Sequence, residues 1–296
     1  MSAIHDLGYK RYVGTRRPTS TRWRVIVRRQ MATAWHGWFR MKAAVGLAIV
    51  TTCVFGGMMY FLTNGIMFRG FRRVGDLPLT IADGALPASL DWYRRAAFLL
   101  GLTVIAGAVA GDRQSGAFTF YFARSIRPRD YVAGKLGGAL AMTASILVLG
   151  PLVLALLRLG LCDDTDALVA HLAIVPEALA IGALATLVYA IVPLGISALF
   201  ASRRYAVAVW AAYWLIATTA AGRIGIATGS SWIAALDLAR AIEAVTHRLF
   251  DLQLAHHLAI PLPAALGSIA LHVALALAIV GYQVARAQRT GVGGSA

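Results

Sequence analysis

The sequence predicts an all-α membrane protein with six transmembrane helices, and three observations predict it. Of its 296 residues, 59% are hydrophobic and only 14% are charged, where soluble domains carry about 25%. Six segments are long and apolar enough, or nearly so, to cross a hydrocarbon layer, which takes about 20 residues in a helix. The charge is sorted: a net +15 is concentrated in a few of the intervening segments. Buried in lipid, a backbone must satisfy its own hydrogen bonds, so such segments are helices. The period-two alternation of a barrel is absent.

The expected spans are Ala43 to Leu62, Ala96 to Ala110 (short, starting nearer Trp92), Leu136 to Leu159, Ala178 to Phe200, Tyr205 to about Ala221, and Leu262 to about Val284. Basic residues set the orientation. With the N-terminus inside, the cytoplasmic parts are residues 1–42, 111–135, 201–204 and 285–296. They hold nineteen Lys or Arg and three acids, Asp6, Asp112 and Asp130, while the outer side receives nine basic and ten acidic residues. Tyr60, Phe61, Trp92, Tyr93 and Trp232 fall near the outer boundary, where aromatic belts form. The chain divides into a cytoplasmic N-terminus (1–42), a transmembrane domain (43–284) with a cytoplasmic loop (111–135) and an outer segment (222–261), and a cytoplasmic tail (285–296). The first 42 residues hold ten Lys or Arg and no continuous apolar stretch, which is not the pattern of a signal peptide.

Two amphipathic stretches lie outside the spans. Trp23, Val27, Met31, Trp35 and Trp38 recur at helical spacing, flanked by Arg22, Arg24, Arg28 and Arg29. This is the pattern of a helix in the inner interface, rings at headgroup depth and guanidinium groups on phosphates; the alternative is a cytosolic helix packed on another domain. In the outer segment, Leu238, Ile242, Val245, Leu249 and Leu252 share one face, with Asp237, Glu243 and Asp251 opposite. That helix either lies on the outer surface or caps the spans.

Chemistry is sparse. Ionisable residues inside spans mark transport or catalytic sites, and these spans are nearly free of them, which argues against an ion-coupled secondary transporter. Arg158 closes the third span and Glu177 opens the fourth, a possible outer ion pair. Ser197 in the fourth span and His272 in the sixth invite comparison with an intramembrane serine protease. Their depths differ by roughly 13 Å at 1.5 Å per residue, beyond hydrogen-bond reach, so Ser197 is read as a helix-packing position. Gly107 and Gly111, four apart, have a spacing that lets helices approach closely. His256-His257 has no third ligand nearby, and neither Cys53 nor Cys162 has a metal-site spacing. Gly134-Lys135-Leu136 lacks the rest of a phosphate-binding loop, so the chain is not expected to bind or hydrolyse ATP. No nucleic-acid-binding signature accompanies the basic residues.

The segment from Gly111 to Lys135 is the most informative. Asp112 ends a span, Gly116-Ala117-Phe118 follows, then the aromatic run Phe118, Phe120, Tyr121 and Phe122. The turn is Arg124-Ser125-Ile126-Arg127, and Gly134-Lys135 closes the segment. This resembles the cytoplasmic loop of type 2 ABC exporter permeases. Ala117 and Ser125 stand where that family has Thr and Pro, and Pro128 comes three residues later. The opening Asp6-Leu7-Gly8-Tyr9-Lys10-Arg11-Tyr12 is similar to that of a bacterial branch of the family. The resemblance implies an N-terminal interfacial elbow helix and six spans in the bacterial cytoplasmic (inner) membrane. It implies a dimer, homo- or heterodimeric, of permease subunits, with two soluble ATPase subunits carrying the ATP and Mg. It also implies that Asp112, Gly116, Phe118, Phe120, Tyr121, Phe122, Arg124 and Arg127 belong to the loop that couples to the ATPase. No residue of this chain is then catalytic, and no cofactor or metal is bound by it. The aromatic run suits docking, since rings are favoured anchors at interfaces.

Overall fold

A computed structural model describes residues 21–37, 39–64, 77–123, 126–162, 164–252 and 260–289. Every regular element among them is a helix. In chain order these are α1 (Arg22–His36), α2 (Arg40–Asn64), α3 (Leu77–Leu100), α4 (Ala108–Gln114), α5 (Ala117–Ala123), α6 (Pro128–Leu147), α7 (Leu149–Gly160), α8 (Thr165–His171), α9 (Ile174–Leu199), α10 (Arg203–Ala212), α11 (Thr218–Ala227), α12 (Ser231–Ala235), α13 (Leu238–Leu249) and α14 (Leu262–Arg289). Single π-helical turns, Gly101–Ile105 and Tyr213–Ala217, interrupt two of the long rods. Six rods are long and apolar enough to cross a membrane: Arg40–Asn64, Gly84–Gln114, Pro128–Gly160, Thr165–Leu199, Arg203–Ala227 and Leu262–Arg289. The architecture is therefore all-α with six membrane-length helices, as in a multi-pass membrane protein.

The fourth rod is the hub. Other helices bury 67% of its apolar stretch, against 22% for the fifth rod. It packs along α14, with Gly195 against the backbone of Ala276, and along α6, with Gly182 against the carbonyl of Leu147. A Cβ at either glycine would collide with backbone, so these are the close approaches that small residues permit. The Leu147 carbonyl is available because Pro151 has no N–H to give it, and the third rod breaks there between α6 and α7. Phe98, Trp210, Trp214 and Tyr189 stack where α3, α9 and the fifth rod meet, the Tyr189–Trp214 centroids 4.6 Å apart.

The second rod begins well before the expected Trp92 and ends four residues beyond Ala110. Asp91, Arg94 and Arg95 break the apolar pattern there, yet they sit inside the helix. Asp91 pairs with Arg94 at 3.1 Å and Arg95 at 2.8 Å, and Arg94 donates to the Ala239 carbonyl at 3.0 Å. Satisfied charges of this kind are compatible with a helix that hydropathy alone shortens.

The Trp stripe belongs to a helix that also packs on the bundle. α1 docks on α6, where Gly134 receives Ile26, Gly137 receives Val27 and Trp23, and Gly138 receives Gln30. Trp23, Val27, Met31 and Trp35 also line an open groove with Arg24, Arg28 and Met41. The burial of Ile26 is decided by α6, which periodicity within α1 does not reveal. Trp38 lies outside the described residues.

Of the two placements open for the outer amphipathic stretch, the structure has the second: α13 caps the spans. Leu238 and Ile242 are fully buried, with Val245, Leu249 and Leu252 half-buried. Asp237 caps its N-terminus, accepting from the Ala239 and Arg240 amides at 3.1 and 3.3 Å. Burial holds the Asp237 carboxyl above the usual range, opposed by those amides and by Arg240 at 3.3 Å.

Candidate functional site

The candidate site is the loop Gly111–Lys135 and the rod ends that anchor it. Its geometry begins with the π-turn Gly101–Ile105. The turn ends at Gly107, and a new helix, α4, starts with unpaired amides, as every helix N-terminus does. Ser197 of α9 supplies the acceptor: its hydroxyl takes the amides of Val109 at 3.0 Å and Ala110 at 3.1 Å. In return Arg113 Nη1 of α4 donates to the Ala198 carbonyl at 3.0 Å, near the unsatisfied C-terminus of α9. The two helices cap one another. Ser197 is thus more than a small packing residue. His272 bonds the Ser268 carbonyl at 2.7 Å on its own helix, and Ser197 and His272 form no hydrogen bond with each other.

Arg203 extends the network. Its amide donates to Gln114 Oε1 at 3.1 Å, and its Nη2 to the Thr103 carbonyl, left over by the π-turn, at 2.9 Å. The Arg203 side chain fills the space beside Gly107, while nothing lies near a Cβ built on Gly111. The expected glycine seam on the second rod is therefore a slot for an arginine at one end and open at the other.

From α4 the chain turns at Gly116, whose φ of +67° suits glycine, into α5. Asp112 and Lys135, named from opposite ends of the segment, meet: Lys135 Nζ lies 2.8 Å from Asp112 Oδ2 and also donates to the Ala108 carbonyl at 3.1 Å. Tyr131 donates its hydroxyl to the same carboxylate oxygen at 2.8 Å. Pro128 occupies the first turn of α6, a position that favours proline. The Arg127 amide, one residue earlier, donates to Asp130 Oδ2 at 3.2 Å. Pro128 thus starts a helix.

The rings do not all face outward as expected. Phe118 is 3% exposed and meets Tyr131 edge-on at 5.1 Å and Phe122 at 5.5 Å; Tyr121 lies 5.4 Å from Tyr131. Phe118, Tyr121 and Phe122, spaced i, i+3 and i+4, form the inward face of α5. Phe120 alone of the four projects, 71% exposed. Burial, and after it Asp112, raises the Tyr121 hydroxyl above its ordinary pKa, with Arg29 opposing. Arg127 is exposed at the foot of α6; Arg124 lies outside the described residues.

Sequence reasoning named Asp112 and Lys135 but missed Tyr131, Ser197 as a cap, Arg113, Gln114 and Arg203. Only Tyr131 carried a local signal, standing one helical turn before Lys135. The outer pair is also different from expectation. Arg158 reaches His171 Nε2 at 3.0 Å and the Cys162 sulfur at 3.8 Å, not Glu177. The chain reverses between α7 and α8, which brings the α8 side chain nearer than one at the start of α9. His256 and His257 lie outside the described residues, and no cluster of three metal-ligating side chains exists among those described. No family model matches this chain, and no curated protein shows significant similarity to it.

Proposed function

We propose that this chain is the membrane-spanning subunit of an ATP-binding-cassette exporter in the bacterial cytoplasmic membrane, with both termini cytoplasmic. The observation that carries the reading is the loop Gly111–Lys135. It is a short aromatic helix held on an ion pair and a ring cluster, with one large ring, Phe120, left facing solvent. A solvated loop needs none of this. A loop that passes force from a partner to the spans needs a stiff connection at one end and an exposed anchor at the other. Asp112, Lys135 and Tyr131 supply the connection, and through Arg113 and Ser197 it reaches α9, the hub of the bundle. α1 lies in the inner interface, with Trp23 and Trp35 at headgroup depth and Arg24 and Arg28 on lipid phosphates.

The partners in this reading are soluble ATPase subunits, which bind ATP and Mg, and a second permease subunit. This chain catalyses nothing itself. The substrate passes between the two permease subunits, driven by ATPase closure. The test is to purify the chain from its native membranes and assay the preparation for ATP hydrolysis. An associated soluble ATPase, with export that stops when ATP is depleted while ion gradients are maintained, supports the reading. Export that persists without ATP, or a chain that purifies with no ATP-hydrolysing subunit, overturns it.

A further inference from the structure

Beneath the loop, between α1, the π-turn of the second rod and the start of the fifth, lies a cavity of about 300 Å³. Arg29, Arg40, Lys135 and Arg203 line it with a single acid, Asp112, and that acid is taken up by Lys135 and Tyr131. Arg203 spends one N–H on Thr103. Among the described residues the guanidinium groups of Arg29 and Arg40 have no hydrogen bond or ion pair, and neither does that of Arg204 nearby. Gln30 also borders the cavity, 8% exposed, with both amide atoms unpartnered. Excess positive charge beside a buried amide N–H without a partner suits an anion.

The cavity continues into a second space. Arg40, Thr103 and Arg203 are shared with an open groove of about 560 Å³, whose other walls are Leu102, Val207, Ala208, Ala211 and, at its lip, Arg204. The groove runs along membrane-length helices, and its apolar walls continue directly from the cations. A soluble anion would use the cations and leave these walls bare. A molecule with an anionic head and an apolar tail uses both.

We propose that Arg40, Arg203 and Arg204 bind the phosphate of an anionic phospholipid, whose acyl chain lies along Leu102, Val207, Ala208 and Ala211. The proposal rests on the six-helix membrane architecture and is independent of the ATPase reading. Arg40 opens the first rod and Arg203 the fifth, so the site sits at rod ends, where lipid headgroups are found. Basic pockets between transmembrane helices are suited to such headgroups. Because Asp112 and Tyr121 also border the cavity, the lipid head lies directly against the base of the loop.

The test is native mass spectrometry of the full chain in neutral detergent, titrated with dioleoyl phosphatidylglycerol or dioleoyl phosphatidylcholine. The wild type should take its first phosphatidylglycerol more than about tenfold tighter than phosphatidylcholine, given the attraction of anionic lipid to several nearby guanidinium groups. Arg40→Gln with Arg204→Gln should abolish the preference, since neither side chain holds the protein together. Ala208→Trp, which fills the groove and keeps every cation, should weaken phosphatidylglycerol by a similar factor. If the double variant fails to fold, Ala208→Trp decides alone. Equal affinity for the two lipids in the wild type, or a preference that survives Ala208→Trp, overturns the proposal. So does displacement of the lipid by glycerol 3-phosphate at equal concentration, which makes this a free-phosphate site.

Discussion

The chain carries two amphipathic helices at opposite ends of the bundle, α13 and α5, and they finish differently. α13 is sealed. Its Leu238 and Ile242 are buried, Asp237 caps its first turn, and Arg94 from the second rod donates to its Ala239 carbonyl. α5 has seven residues against twelve, rests its inward rings on Tyr131, and leaves Phe120 outside. A helix that serves the fold uses up its apolar surface. One that serves a partner keeps some back, and under the proposed function this difference makes the loop, not the outer segment, the candidate docking element.

Ile242→Ala should show the largest effect, about 2–5 kcal/mol of lost stability as for other buried Ile truncations, read by SDS titration in bicelles. A loss no greater than that of a surface change would mean that α13 is not a structural cap. Asp112→Ala should follow at about 3 kcal/mol, because it strands the Lys135 ammonium in a buried setting. Replacing both, Asp112→Leu with Lys135→Met, should recover most of that stability while uncoupling the loop. If the double variant is as unstable as the single, the pair is not an isolated unit.

Ser197→Ala comes next, at about 1–3 kcal/mol, since it leaves the Val109 and Ala110 amides without an acceptor. Were Ser197 merely a small residue at a helix contact, alanine would be nearly neutral, so the same unfolding titration separates the two roles. The smallest effect is on the pH profile. Burial and Asp112 raise the Tyr121 hydroxyl above its ordinary value of about 10. Its folded form holds the proton more tightly, so the associated stability is complete below that pH and fades as pH rises through the raised value. Tyr121→Phe should therefore lose less stability than wild type as pH rises above about 10. Parallel losses in the two proteins would place the Tyr121 hydroxyl in water.

All six rods were legible in the sequence as apolar runs, although the second, Ala96 to Ala110, was short of a full span. Their ends were less so, and the reason is specific. The start of the second rod is masked by Asp91, Arg94 and Arg95, whose charges are satisfied partly by a carbonyl 145 residues away. Within the loop, Asp112 and Lys135 stood out by position, and they meet. The roles of the rings did not, since whether Phe118 or Phe120 faces inward depends on where the first turn of α6 places Tyr131. Cross-capping between Ser197 and α4 was invisible for a similar reason: it exists only because a π-turn restarts the second rod beside α9. Arg158 shows the same limit, its partner being chosen by the tight reversal after α7.

In the proposed function, Phe120 is the exposed anchor by which the loop holds an ATPase subunit. The direct measurement is the affinity of the purified permease for that subunit in three forms: wild type, Phe120→Ala and Ile242→Ala. An aromatic anchor contributes about 2 kcal/mol or more, and about 1.4 kcal/mol is a tenfold change. Phe120→Ala should thus bind more than tenfold more weakly, while its own unfolding changes by less than about 0.5 kcal/mol, as for other surface substitutions. Ile242→Ala should show the reverse, weaker folding with unchanged affinity. Undiminished binding by folded Phe120→Ala would contradict the account.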